Sequence, residues 1–202
     1  MKTVNKNMKN VKTVPVTESM FRAAGFLAKQ RLVFEYPREG YGDYGEEHLK
    51  NLLYGYIGEL SFLKFVVHYF QYKYKNYKAK ERFYKIKDEQ FSYTPVIGQT
   101  DKGYDFIIKG KKIDVKTYGT KLLRDDNEIF KYNLLIDKRQ AGNHKADIYV
   151  QAFVVGNDKP RKCILSGFYE GLPPLNEKFP HPAHALSVER LHPVSMLMQK
   201  YF

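Results

Sequence analysis

Tryptophan is missing from this 202-residue chain, and cysteine occurs once. A single thiol cannot close an intramolecular disulfide, and without a second cysteine there is no Cys pair for a structural zinc site. Cys163 stands just before Ile164 and Leu165 in an apolar run, which predicts a buried structural thiol. No apolar run approaches the ~20 residues of a membrane span, and mean hydropathy is −0.54. Met1 to Thr13 is rich in Lys and Asn and holds no apolar stretch of the secretory kind. These absences predict a cytoplasmic protein in reducing conditions with no membrane partner. Acid is scarce too: 22 Asp and Glu stand against 34 Lys and Arg, a formal net charge of +12. That balance favours a polyanionic partner. The weaker alternative is that AT-rich coding accounts for part of the lysine excess.

The length suits one domain, and 43% hydrophobic residues supply a core. Residues 1–13 read as a disordered basic arm, with a single domain over 14–202. Met20, Ala24, Leu27, Ala28 and Leu32 recur at near-helical spacing, so a helix is expected from Thr17 to about Val33, capped by Thr17 or Ser19. Tyr36 to Glu47 is a Gly- and Tyr-rich loop that could contact substrate or simply connect. Leu49 to Phe70 is the longest helical pattern. Gly55 and Gly58 inside it point to close packing against another element. Strands are expected at Phe91–Ile97, Asp147–Val155 and Cys163–Phe168. The second is nearly continuous in apolar residues and therefore central. Phe130–Ile136 fits a strand or a helix entry, and Lys138–His144 a short helix or loop. Pro173, Pro174, Pro180, Pro182 and Pro193 mark an irregular C-terminal region before a last helix at Val194–Lys200. The sum is an α/β chain with a mixed sheet of about five strands.

The most informative stretch is Gly103 to Thr117. Two apolar runs flank Lys109-Gly110-Lys111-Lys112, which reads as a β-hairpin. With the turn centred on Gly110 and Lys111, Ile107 faces Asp114 and Asp105 faces Lys116. Side chains alternate with period two, so Asp105, Asp114 and Lys116 share one face. Two acids and a lysine make a poor core but a good holder for a divalent metal and a water. The alternative is a solvated edge of ordinary surface charges. Glu59 is the other anomaly: its helical neighbours Leu52, Tyr56, Phe62, Leu63 and Val66 are apolar. A carboxylate in that stripe is expensive to bury alone. It needs a partner such as a metal ion or a lysine, unless that part of the helix turns into solvent.

An acid on an early helix, an acid on a strand and Asp114-Val115-Lys116 on the next strand together resemble the PD-(D/E)XK nuclease superfamily. The likeness covers about Leu49 to Phe168. Tyr104 stands where that family's proline precedes its first acid. The resemblance implies a restriction-endonuclease-like αβββαβ core and Mg²⁺-dependent hydrolysis of DNA, with Mn²⁺ able to substitute and RNA not excluded. It implies Glu59, Asp105, Asp114 and the Val115 carbonyl as metal ligands, Lys116 as the cation that orients water and offsets transition-state charge, and Gln140 as a helper. Restriction, phage or homing, repair and Holliday-junction-resolving enzymes all fall within it, and a homodimer would suit double-strand cutting. A non-catalytic nucleic-acid-binding protein on the same scaffold is the alternative. A third reading is an interaction protein for an acidic partner or ribosomal RNA, which requires Glu59 and the hairpin acids to lie apart.

Tyr72 to Arg82 interleaves tyrosines with Lys73, Lys75, Lys78, Lys80 and Arg82, which could line a nucleic-acid groove. A solvated extension of the preceding helix is the plain alternative. Thr117 reads as an ordinary strand residue unless exposed to a phosphate. His181, His184 and His192 lack metal-ligand spacing and read as structural or surface residues.

Overall fold

A computed structural model describes residues 11–35, 45–88, 90–95, 102–120, 126–143, 146–156, 159–178 and 182–201. Residues 1–10 of the expected arm and 36–44 of the expected loop lie outside them. Chain order begins with β1 (Lys12–Pro15), α1 (Glu18–Glu35), α2 (Gly45–Lys73), α3 (Ala79–Asp88), β2 (Phe91–Tyr93), β3 (Phe106–Ile108) and β4 (Lys111–Thr120). It continues with β5 (Asn133–Asp137), α4 (Lys138–Asn143), β6 (Ile148–Val155), β7 (Lys162–Glu170), β8 (Leu175–Asn176), β9 (Ala183–Ser187) and α5 (Val194–Tyr201).

Thr17 caps α1 as expected, its hydroxyl accepting from the Met20 N–H at 3.3 Å. β1 starts at Lys12, inside the stretch assigned to the arm, because Lys12 to Pro15 pair with β7 from Leu165 back to Lys162. The main sheet has six strands in the order β1-β7-β6-β4-β3-β2. β4 and β6 run parallel, and every other pairing is antiparallel. β6 is buried from Ile148 to Val154, as a central strand should be.

α2 packs on one face of this sheet. Ile57, Phe62, Val66 and Phe70 are buried along it, and the Phe62 ring meets Phe106 edge-on at 5.1 Å. The close approach expected of glycine is real at Gly58, where a β-carbon would run into the Thr117 side chain. Gly119 serves the same contact from the strand side, under the ring of Tyr54. Gly55 has no such neighbour. The opposite face is covered by two smaller clusters, one around Leu134, Ile136 and Tyr149 and one around Ile129, Phe153 and Val188.

Three further stretches depart from the sequence reading. The chain between Phe70 and Phe91 turns after Lys73 and forms a separate helix, α3, whose first turn is closed by Glu81 accepting from the Lys78 N–H at 3.0 Å. The proline-rich C-terminal region holds ordered strands, since β9 pairs with both β5 and β8 in a second, three-stranded sheet. β2 is shorter than expected and ends at Tyr93, with residues 96–101 outside the described ones.

Candidate functional site

The hairpin forms, but one residue earlier than expected. Lys109 and Gly110 occupy the turn with φ of 46° and 78°. A two-residue turn with both φ positive matches the strands' twist, and glycine adopts that conformation at little cost. The ladder therefore runs Phe106↔Ile113, Ile107↔Lys112 and Ile108↔Lys111. Ile107 faces Lys112 rather than Asp114, and Asp105 does not face Lys116. The shift in pairing is two residues, so it does not flip faces.

Beyond Phe106 the ladder changes character. The Asp105 N–H donates to the Ile113 carbonyl at 2.8 Å, and its Oδ2 accepts from the Val115 N–H at 2.7 Å. A side-chain carboxylate thus holds a backbone donor of the neighbouring strand. On β4, Ile113 and Val115 belong to the core beneath α2, and alternation turns Asp114 and Lys116 the other way. Lys116 Nζ pairs with Asp114 Oδ2 at 2.8 Å. Glu59 comes from the α2 side, and its Oε2 accepts from the Tyr93 hydroxyl at 2.9 Å. The partner seen for Glu59 is therefore a tyrosine of β2.

All four residues line one cleft of about 250 Å³, with Arg31, Asn51, Gly55, Tyr104 and Ile136 among its other walls. Glu59, Asp105 and Asp114 are all buried. Asp105 feels both of the other acids. Burial pushes its carboxyl well above the usual range, and the Glu59 and Asp114 charges push it further. The Val115 N–H and Lys116 act in the opposite sense. The Tyr93 hydroxyl is raised by its burial and then by Glu59, so it stays a donor. Among the described residues no three His, Cys, Asp or Glu side chains form a ready metal cage. The donor set is nevertheless all carboxylate oxygen, which suits Mg²⁺, an ion that usually keeps several waters. Of Val115, the N–H bond to Asp105 is the contact seen.

The other sequence candidates lie elsewhere. Gln140 falls within α4, and only its backbone is described. Lys73, Lys75, Lys78 and Lys80 are exposed at the junction of α2 and α3, while Arg82 is half-buried, with Nε enclosed and lacking a hydrogen-bond partner among the described residues. A helix rises ~1.5 Å per residue, so Lys73 stands about 21 Å along α2 from Glu59. Thr117 faces α2 through Gly58, and its enclosed hydroxyl has no hydrogen-bond partner among the described residues. His184 Nδ1 contacts the Pro173 carbonyl at 2.7 Å, and the His192 backbone bridges to Phe168. Both are structural. His181 lies outside the described residues. Cys163 is fully buried, which raises its thiol to about 12.

Sequence reasoning missed Tyr93, Arg31, Asn51 and Gln151. Gln151 is buried beside Lys116 in the parallel ladder, and its Nε2 donates to the Lys116 carbonyl at 3.1 Å and the Ala152 carbonyl at 3.0 Å. A polar residue in the otherwise apolar run Ile148–Val155 was the available signal. Arg31 and Asn51 carried none, being ordinary polar positions on helices.

No protein-family model, curated protein or solved structure matches the chain. The α/β class stands on the fold itself. No described helix is long and apolar enough to cross a membrane.

Proposed function

We propose that this chain is a Mg²⁺-dependent phosphodiesterase that cleaves DNA, built on a restriction-endonuclease-like core. One observation carries the reading: residues 59, 105, 114 and 116, from α2, the position just before β3 and strand β4, line one cleft, with Lys116 paired to Asp114. An interaction protein has no need of that convergence. The order of elements also supports it. The long helix α2 and then α3 precede three antiparallel strands, β5 and a short helix follow, and β6 then lies parallel beside β4.

In this reading Glu59, Asp105 and Asp114, with the Val115 carbonyl, would hold the cation. The fit is electrostatic: Asp105 is buried between two other acids, a cost that a divalent ion offsets. Bound there, Mg²⁺ supplies Lewis-acid polarisation of a phosphoryl group and acidifies water. Lys116 balances charge that grows on the phosphoryl oxygens and orients the attacking water. Asp114 positions its ammonium. Tyr93 and the Val115 N–H fix two of the carboxylates, so that little reorganisation is needed during reaction. Leu52, Tyr56 and Ile136 keep part of the cleft apolar, which strengthens these interactions.

The test is cleavage of plasmid and single-stranded DNA with Mg²⁺, Mn²⁺ or EDTA, for wild type beside Asp114→Ala and Lys116→Ala. Metal-dependent cutting by the wild type alone is expected, with nucleic-acid binding kept in both variants. Binding without cutting in all three proteins favours the non-catalytic alternative. Cutting that survives both substitutions removes the assignment.

A further inference from the structure

The junction of α2 and α3 is strongly one-sided in charge. Residues 71–87 contain seven Lys and Arg and one acid, Glu81. Its tyrosines are displayed: Tyr72, Tyr77 and Tyr84 are 71%, 44% and 51% exposed. They are not loose. Tyr74 stacks on the buried core ring of Phe70 at 6.0 Å and 6°, and Tyr77 meets Tyr74 edge-on at 5.8 Å. Lys75 Nζ lies 5.7 Å from the centre of the Tyr72 ring. Exposed aromatic faces anchored among lysines have a specific chemical complement.

We infer that this corner binds single-stranded nucleic acid, with lysines on phosphates and tyrosines on unpaired bases. A duplex meets the lysines but hides its base faces, so it has nothing to offer the rings. A single strand supplies both, and stacking on tyrosine accepts any base. An acidic peptide would engage the charge and leave the rings largely unused, whereas an anionic bilayer also takes up interfacial tyrosines and is separated by the vesicle measurement below. The corner lies about 21 Å along α2 from Glu59, so it acts as a separate docking surface. It goes beyond the proposed hydrolysis and does not depend on it.

The experiment is fluorescence anisotropy in EDTA with labelled 15-nucleotide oligo(dT), the oligo(U) equivalent and a 15-base-pair duplex. Tyr72→Ser/Tyr77→Ser/Tyr84→Ser should weaken single-strand binding about tenfold or more, as expected for lost stacking. Duplex binding should hold. The matching triple Phe variant keeps the rings and should bind single strands like wild type. Lys75→Gln should weaken both forms and lower the single-strand salt slope by about 0.7. The two oligonucleotides separate DNA from RNA as the source. Equal affinity for duplex and single strand in wild type would overturn the inference, as would a Ser variant that binds like wild type. Phosphatidylserine vesicles that bind wild type and lose the Ser variant to the same degree would also overturn it. The binding measurements are made in EDTA, where no metal-dependent cleavage occurs, so failure of hydrolysis and failure of docking are told apart.

Discussion

Replacing Lys116 by methionine keeps most of the side-chain stem and removes the ammonium that sits 2.8 Å from Asp114 Oδ2. The two side chains are 24% and 12% exposed, which places the pair between a surface ion pair and a buried one. Surface pairs contribute ~0.2–1 kcal/mol, whereas stranding one charge of a buried pair costs ~3–5 kcal/mol. With a quarter of the lysine in water, the loss for Lys116→Met should be about 2–3 kcal/mol. For a chain of this length each kcal/mol moves Tm by ~2–4 °C, so the melt should fall by roughly 4–12 °C. The double variant Lys116→Met/Asp114→Asn leaves no stranded charge and should recover most of that loss. Thermal denaturation at pH 7.5 in EDTA, followed by circular dichroism on wild type, both single variants and the double, reads the coupling directly. Cleavage under Mg²⁺ should fall by at least ~10²-fold in both Lys116 variants, because stability is restored in the double and the cation is not. A single-variant Tm within about 1 °C of wild type, or strictly additive losses in the double, would refute the pairing argument.

Two further outcomes follow from the same cleft and its support. The Asp105 carboxyl is raised in the folded chain by burial and by Glu59 and Asp114, so the folded state holds its proton more tightly than the unfolded chain does. That contribution is fully present below about 3.9, the ordinary carboxylate value, and is lost as pH climbs through the raised folded value. Metal-free Asp105→Asn should therefore gain Tm relative to wild type at pH 8 and gain little at pH 4, and Mg²⁺ should stabilise wild type more at pH 8. Equal Tm differences at both pH values would contradict this. Gly58→Ala should lose ~1–3 kcal/mol by pushing α2 from β4, despite alanine's better helix propensity, with Gly58→Ala/Thr117→Ala recovering most of it in urea denaturation.

Much of this protein is legible locally. The apolar stripe of α2, the continuous β6 and the hairpin are all encoded by neighbours a few residues apart, so periodicity alone finds them. The same period-two rule turns Asp114 and Lys116 to one side of their strand. The odd position of Glu59 in its stripe marks it without any knowledge of the fold.

Tertiary structure decided the rest. Whether the turn takes Lys109-Gly110 or Gly110-Lys111 depends on strand twist and pairing, and that choice reassigned the partners of Asp105 and Ile107. The second sheet joins β5 to β9 across some fifty residues of chain, and β9 reads Ala-His-Ala-Leu-Ser, too weak in strand propensity to declare itself. Tyr93 reaches Glu59, Gln151 reaches the Lys116 carbonyl and Arg31 lines the cleft only because distant elements pack together. Local pattern records which side chains a segment must hide. It cannot record which other segment will lie against them, because that is settled by the packing of the whole chain.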